Sequence, residues 1–575
     1  MTRFRLLALS AVLTTAALAA CGGSSSDDTS SNPSTKATPT PQPASAPVEV
    51  KLLSFNDFHG NLKPGGSVTV PDPTDASKTV SVKAGGIEYM ATWIKTLRAK
   101  NPNNVVVSAG DLIGASPLLS ALFHDEPTVE AMNELGLDLN AVGNHEFDEG
   151  SEELLRMQNG GCHKTDGCVG KASFSGAKFK FLAANVVDEK TGKTLFPAYN
   201  IKTFNGIKVA FIGMTLKGTP SIVTPSGVAG LKFLDEADTA NKLVPELKAQ
   251  GIEAIVVLLH EGGMQTGQFN ECKGISGAIV DIVNRMDKAI DVVVSGHTHQ
   301  SYNCQINGKL VTSANQYGRM ISEIDLKLDP VTRDVIKSSA NNVVVTNDVA
   351  RDAVQTDLIN KYDAMVKPLE NRIVGKIGGT LTKAVNPAGE SLLGDVIADA
   401  QLAATSDAKL GAAQIAFMNP GGVRADLTPD ASGNVTYGLL FTTQPFGNSL
   451  VTLTVTGAQI KELLEQQFAG YSNNQPYDRV LQSSAGFTYS WDSSKPGGQK
   501  VDANSIKLNG VLIAPTATYR ITVNNFMATG GDNFTVLIQG QNVLGGAQDI
   551  DALEAYIKAR SPLAVPTLNR VTKTK

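Results

Sequence analysis

Residues 48–60 read VEVKLLSFNDFHG, an apolar run from Val48 to Phe55 that stops at Asn56-Asp57-Phe58-His59-Gly60. The run has the length and composition of a buried strand. The polar residues after it lie where that strand would end. The pattern recurs along the chain. Residues 105–109 run into Gly110-Asp111, and residues 139–142 into Gly143-Asn144-His145-Glu146-Phe147-Asp148. Residues 254–259 run into His260-Glu261-Gly262-Gly263, and residues 291–295 into Gly296-His297-Thr298-His299. Further strand-like runs cover 179–183 and 209–213, with helix-like segments at 86–99, 127–135, 237–250 and 276–286. Such alternation predicts α/β layers. Ligands of open α/β sheets bind beyond the carboxyl ends of strands, which is where these Asp, Asn and His residues fall.

Taken singly, each element says little. A strand-end Asp is more often a helix N-cap, and a lone His260 is more often a core residue with its hydrogen bonds satisfied. Jointly they are specific, because five of the chain's 7 histidines fall in these motifs. Imidazole, carboxylate and amide donors together suit borderline divalent ions such as Zn²⁺ or Mn²⁺. Two ions need a shared ligand, and a carboxylate such as Asp111 can bridge them. His124 and His163 lack matching context and receive no assignment.

The chain's 575 residues exceed what one core usually supports. Its net charge of −5 gives no basic footprint for a nucleic-acid polymer, so a small ligand is expected. Arg3 and Arg5, the apolar residues 6–17 and Leu18-Ala19-Ala20-Cys21 form an export signal. Residues 22–47 are rich in Ser, Thr, Pro, Ala and Asp and predict a flexible tether. Cys162, Cys168, Cys272 and Cys304 allow three disulfide pairings. Proximity suggests Cys162–Cys168, leaving Cys272–Cys304. Residues 348–367 predict a charged connecting helix that ends before Pro368.

Residues 371–570 carry a second α/β pattern: a short strand, a helix at 392–404, and strands at 415–418, 450–455 and 519–523. Asn419-Pro420-Gly421-Gly422-Val423-Arg424 follows the strand at 415–418, and Asn525-Phe526 with Gly530-Gly531-Asp532 follows the strand at 519–523. Gln444-Pro445-Phe446-Gly447-Asn448 lies between them. Phe446 and Phe526 sit among Gly and Asn, where aromatic faces can clamp a base. Arg424 can pair with a carboxylate or phosphate.

The order Asp-x-His, Gly-Asp, Gly-Asn-His-Glu, His and Gly-His-x-His resembles the calcineurin-like metallophosphoesterases. The fuller motifs at 55–60 and 143–148 resemble their 5′-nucleotidase branch, and residues 390–400 match a helix of the same family. The likeness covers about residues 48–570. It implies a four-layer α/β/β/α sandwich over 48–345, a linker helix over 346–370, and an α/β substrate-binding domain over 371–575. It also implies two divalent metals, Zn, Mn or Co. Asp57, His59, Asp111 and His299 would hold one, and Asp111, Asn144, His260 and His297 the other. His145, oriented by Asp148, would face the phosphate. Phe446 and Phe526 would stack the base, while Asn419, Arg424, Asn448 and Asp532 would contact nucleoside or phosphate. Residues 18–21 resemble a lipoprotein signal, which makes Cys21 a lipidated first residue and the protein a membrane-anchored, monomeric resident of the cell envelope.

The implied activity is metal-dependent hydrolysis of nucleotide phosphate esters for nucleotide catabolism and nucleoside or phosphate salvage. One departure bears on substrate. Many members carry an arginine shortly before the helix at 392–404, where this chain has Val385-Asn386-Pro387-Ala388-Gly389. Cyclic 2′,3′-phosphodiesters, dinucleotides and nucleotide sugars therefore stand beside 5′-nucleotides. The competing readings are a thiosulfate-ester hydrolase and a non-catalytic nucleotide-binding lipoprotein.

Overall fold

The structure, a computed structural model, describes residues 46–72, 74–169 and 171–575. The export signal, Cys21 and nearly all of the tether lie outside the described residues. No helix among those described is long and apolar enough to cross a membrane.

Strand Val48–Phe55 shows why its sequence is apolar almost throughout. Val50 and Leu52 face a second sheet, while Leu53 and Phe55 face a layer of helices. Strand Ala254–His260 repeats this, with Val256 and Leu258 turned between the sheets and Val257 and Leu259 turned outward onto helices. Alternate residues of a strand point to opposite faces, so a strand covered on both sides must be apolar on both. Each such side chain, fully buried, contributes roughly 1.5–3 kcal/mol.

The first sheet has the order Val335–Val344, Met320–Leu328, Val48–Phe55, Asn104–Ser108, Leu139–Ala141, Lys180–Leu182. The last four strands are parallel. The second sheet has the order Ser301–Ile306, Lys309–Ala314, Val292–Ser295, Ala254–His260, Ile207–Thr215, Tyr199–Phe204, with a parallel centre of four. Helices Ile87–Arg98, Glu126–Leu135 and Ser151–Asn159 cover the first sheet, and Glu236–Ala249 and Ala278–Arg285 the second. The layers run α/β/β/α. Disulfides join Cys162 to Cys168 and Cys272 to Cys304.

The helix expected over 348–367 is displaced. It spans Ala353–Glu370 and runs through Pro368. Asp352 sets the start, because its carboxylate accepts from the Gln355 N–H at 3.2 Å as an N-cap. Pro368 lies in the last turn, where a missing N–H removes only one bond. Burial of Ile359, Tyr362 and Val366 against the helical layer of the first sheet, and a Tyr362 hydroxyl donating to Glu130 at 2.8 Å, hold the helix past it.

Beyond this helix, a five-stranded sheet runs Gln482–Ser483, Ile415–Met418, Thr518–Asn524, Ser449–Thr456, Gln541–Gln548. Strands Ile415–Met418 and Thr518–Asn524 are parallel, so Asn419 and Asn525 leave the same edge. Strand Ser449–Thr456 is antiparallel to Thr518–Asn524 and pairs Leu450 with Asn524. The segment before it, with Phe446 and Asn448, therefore emerges at that edge too. Topology alone brings three sequence-distant loops together.

Candidate active site

All five polar strand ends meet at the carboxyl edges of the two sheets. Asp57, His59 and His299 form one group of potential metal donors, and Asp111, His260 and His297 another. Asp111 lies between the groups, its Oδ2 being 3.6 Å from His59 Nε2 and 3.0 Å from His260 Nε2. Asn144 Oδ1 is 3.1 Å from His260 Nε2. The convergence is visible in the backbone dihedrals: Asp57, His59, Asp111, His297 and His299 all have positive φ, from 46° to 68°. Non-glycine residues in that region cost on the order of 1–3 kcal/mol each and persist where surroundings over-determine them. Gly143 is forced by proximity, since a Cβ there would lie 2.3 Å from Asp111 Oδ1.

The hydrogen bonds identify which nitrogens are free. His59 Nδ1 donates to the Gly114 carbonyl at 2.8 Å, and His260 Nδ1 to the Ala109 carbonyl at 2.7 Å. A carbonyl can only accept, so each ring presents Nε2 to the site. His59 Nε2 then faces His299 Nε2 at 3.3 Å, and His260 Nε2 faces oxygens of Asn144 and Asp111. Lone pairs crowded this way repel unless a proton or a cation lies among them. A divalent ion satisfies several at once, and imidazole held by a carbonyl at its far nitrogen is the usual state of a metal ligand. The donor set fits two borderline divalent cations.

The electrostatics agree. Burial disfavours ionised Asp111, but His260, His145 and His59 outweigh it and keep the carboxyl well below its usual range. Burial also opposes charge on His260, yet Asp111 and Asp57 hold that ring at about 10. His297 is pushed down to about 3 by burial and then by the charge of His260. Burial likewise drives His59 well below the ordinary histidine range. The carboxylates pull positive charge into the site, onto His260, while His59 and His297 are held neutral, as metal ligands are.

His145 stands apart. Its Nδ1 lies 2.9 Å from Asp148 Oδ2, which leaves Nε2 for other work. Burial opposes its charge, but Asp148 and Asp111 raise its pKa. Its ring is 5.0 Å from that of His59 and stacks at 5.8 Å, with 16° between planes, on Phe446 from the C-terminal half.

That contact marks a shared cavity of about 950 Å³. Asp111, Asn144, His145, Asp148, His297 and His299 line one part, with Asp57, His59 and His260 buried behind them. Asn419, Arg424, Phe446, Asn448, Phe526 and Asp532 all line the same cavity. The volume suits a nucleotide-sized ligand. Phe526 lies over Gly531, where a Cβ would come within 2.5 Å of the ring. Only glycine at 531 lets this ring lie flat.

Several contributors carry no sequence signal of their own role. The Glu146 carboxylate accepts from the backbone N–H of Asp111, Leu112 and Gly143 at 2.7–2.9 Å, binding two strand ends together. Burial, followed by the charge of Asp111, raises Glu146 to about 7. Asn56 accepts from Ala314 N–H at 2.8 Å and donates to Asn315 O at 2.6 Å. Pro476, Tyr477 and Arg479 line the cavity from a segment that periodicity leaves featureless.

His124 and His163 also meet, with ring centroids 3.7 Å apart and planes at 16°. Their nitrogens, with Glu149 and Glu153, lie close enough together for an ion. Near-parallel stacked rings cannot both direct in-plane lone pairs at one ion, so the geometry favours a charge clasp. His124 faces Glu149 at 2.7 Å and Asp166 at 3.0 Å.

Residues 50–301 match the calcineurin-like phosphoesterases, and residues 373–539 the 5′-nucleotidase C-terminal domain. Over 528 residues, 91% of this chain, the sequence is 36% identical to the endonuclease YhcR of Bacillus subtilis (strain 168), of which it spans only 41%. It is 31% identical over 553 residues to the cell wall protein Lmo0130 of Listeria monocytogenes serovar 1/2a, covering 90% of this chain and 68% of that protein. Among solved structures, a 5′-nucleotidase precursor from Thermus thermophilus aligns with a TM-score of 0.73 at 26% identity, covering 91% of this chain and 99% of that one.

Proposed function

Because this chain belongs to the calcineurin-like phosphoesterases that carry a 5′-nucleotidase C-terminal domain, we propose that it hydrolyses phosphate esters of nucleotides with two divalent metals. The observation that carries this reading is the single cavity lined by both the imidazole–carboxylate cluster and the Phe446, Phe526 and Arg424 side chains. Asp57, His59, Asp111 and His299 would hold one metal, and Asp111, Asn144, His260 and His297 the other. Bound there, divalent cations would neutralise phosphate oxygens and acidify water at neutral pH.

The remaining work falls to the chain. Asp148 fixes Nδ1 of His145, so a proton on Nε2 points where a leaving oxygen would develop charge. Arg424, whose guanidinium carbon is 5.8 Å from the centre of the Phe446 ring, adds a second positive group at the phosphate end. Phe446 and Phe526 supply flat faces for a base, and Asn419, Asn448 and Asp532 supply polar contacts to the nucleoside.

The metals are Zn, Mn or Co, and metal analysis of the purified chain decides among them. The relatives favour an exported or envelope protein, and we place it on the membrane through lipid at Cys21, as a monomer. Residues 48–345 and 371–575 act as two domains around the helix that follows Asp352. The substrate test is product analysis with added Mn²⁺: adenosine and phosphate from AMP, UMP and glucose 1-phosphate from UDP-glucose, and an adenosine monophosphate from 2′,3′-cyclic AMP. Hydrolysis of none of them, alongside tight nucleotide binding, would instead make the protein a nucleotide-binding lipoprotein.

A further inference from the structure

Arg479 lies in the segment between helix Gly457–Glu465 and strand Gln482–Ser483, far in sequence from every residue assigned above. Its side chain is only 9% exposed, and its guanidinium pairs with the Asp532 carboxylate, itself 5% exposed. The second Asp532 oxygen accepts from Asn419 Nδ2 at 2.7 Å, and Asn419 Oδ1 in turn accepts from Asn524 Nδ2 at 3.0 Å. Gln475 Nε2 donates to the Asp532 main-chain oxygen at 2.6 Å. Asp532 needs this support, because its backbone is left-handed, at φ 55° and ψ 26°. The ring of Tyr477 lies 4.4 Å from the Arg479 guanidinium carbon and is itself 59% exposed at the cavity wall.

We propose that Arg479 is the positioning residue for the nucleoside end of the cavity. The inference rests on the nucleotide reading above. Each oxygen of an ionised carboxylate offers about two acceptor sites. Arg479 and Asn419 occupy one on each oxygen, so one on each remains to accept hydroxyl or amine hydrogens from the ligand. The arginine and Asn419 hold the Asp532 carboxylate in one orientation, with its remaining acceptor sites turned to the cavity. Tyr477 fixes the plane of the guanidinium from its open side. Lysine in this position supplies charge but neither the fork nor the stacked plane.

The test compares AMP with p-nitrophenyl phosphate, which has no sugar, on the full metal-loaded chain. Selectivity is the ratio of the two kcat/KM values. Arg479→Ala is expected to lower selectivity for AMP at least about tenfold, through KM rather than kcat, and Arg479→Lys to recover part of the loss. Added to Asp532→Ala, Arg479→Ala should lower selectivity no further, because it acts through that carboxylate. Unchanged selectivity, or losses that multiply in the double variant, overturns the inference. Should Arg479→Ala fail to fold, Arg479→Gln enters the same cycle with the same expectations. Wild-type protein that cleaves p-nitrophenyl phosphate but not AMP defeats the nucleotide reading itself. AMP turnover with equal losses on both esters defeats only the role of Arg479.

Discussion

His145 and Glu146 are neighbours with opposite duties. His145 turns its ring into the cavity, while Glu146 turns inward to three backbone N–H groups. His145→Ala should leave both metals bound and reduce kcat by about 10²–10⁴-fold, the usual weight of one acid–base group. Metal analysis and steady-state kinetics on the same sample check both halves. Glu146→Ala strands three buried donors, each worth about 1–3 kcal/mol when unmet. It should lower the urea midpoint sharply and reduce metal retention together. A variant with normal stability and metal content would show that those N–H groups find other partners. Sequence made the motif residues visible because strand ends concentrate them. It did not reveal what Glu146, Asn56 or Arg479 do, because each acts on backbone or side chains brought near only by the fold.

Between the third motif and strand Lys180–Leu182 lies a loop closed by Cys162–Cys168, and its histidine, His163, stacks on His124. Burial works against charge on His124, but Glu149, Asp166 and Glu153 outweigh it and set the ring at about 9, above its ordinary 6.5. A raised histidine pKa stabilises the folded state fully below the unfolded value and loses that contribution as pH climbs through the folded one. The gap in unfolding midpoint between wild type and His124→Gln should therefore be widest below pH 6.5 and close as pH rises through about 9. Because Glu149 and Asp166 are about half exposed, added salt should narrow it. A gap that stays constant with pH would rule out a charged clasp. At this scale the buried parallel strands were legible from their unbroken apolar runs. The hairpin of Gly66–Asp72 with Asp75–Ala84 and the edge strands Ser301–Ile306 and Val335–Val344 were not, since half-exposed strands interleave polar residues and blur into loops. Pro368 misled in the other direction, because packing of Tyr362 and Val366 outweighs one lost hydrogen bond.

Across the whole molecule, two α/β bodies contribute to one cavity, and neither completes it alone. Phe446→Ala and Phe526→Ala should each raise KM for AMP with a smaller effect on kcat, since base stacking is worth roughly 1–3 kcal/mol. Equal loss with p-nitrophenyl phosphate would mean that the rings shape the metal centre and not a base site. Phe446 sits against His145, at the metal end of the cavity. A disulfide engineered to lock the two halves in this arrangement should slow turnover if substrate must enter by their separation. Unchanged turnover would argue for entry without such motion. The presence of two bodies was legible from length and from the second α/β pattern, whereas their closeness at Phe446 was not, because no local signal encodes it.

If the strand-end cluster binds two divalent cations and the cavity above it presents a nucleotide to them, metal content and turnover must rise together. The direct measurement is phosphate release from AMP during Mn²⁺ titration of the metal-stripped chain, with bound metal counted at each point. The stripped protein should release none, and activity should saturate as two equivalents bind. Full activity after complete metal removal, or no release with two equivalents and AMP both bound, would contradict two-metal hydrolysis at this site.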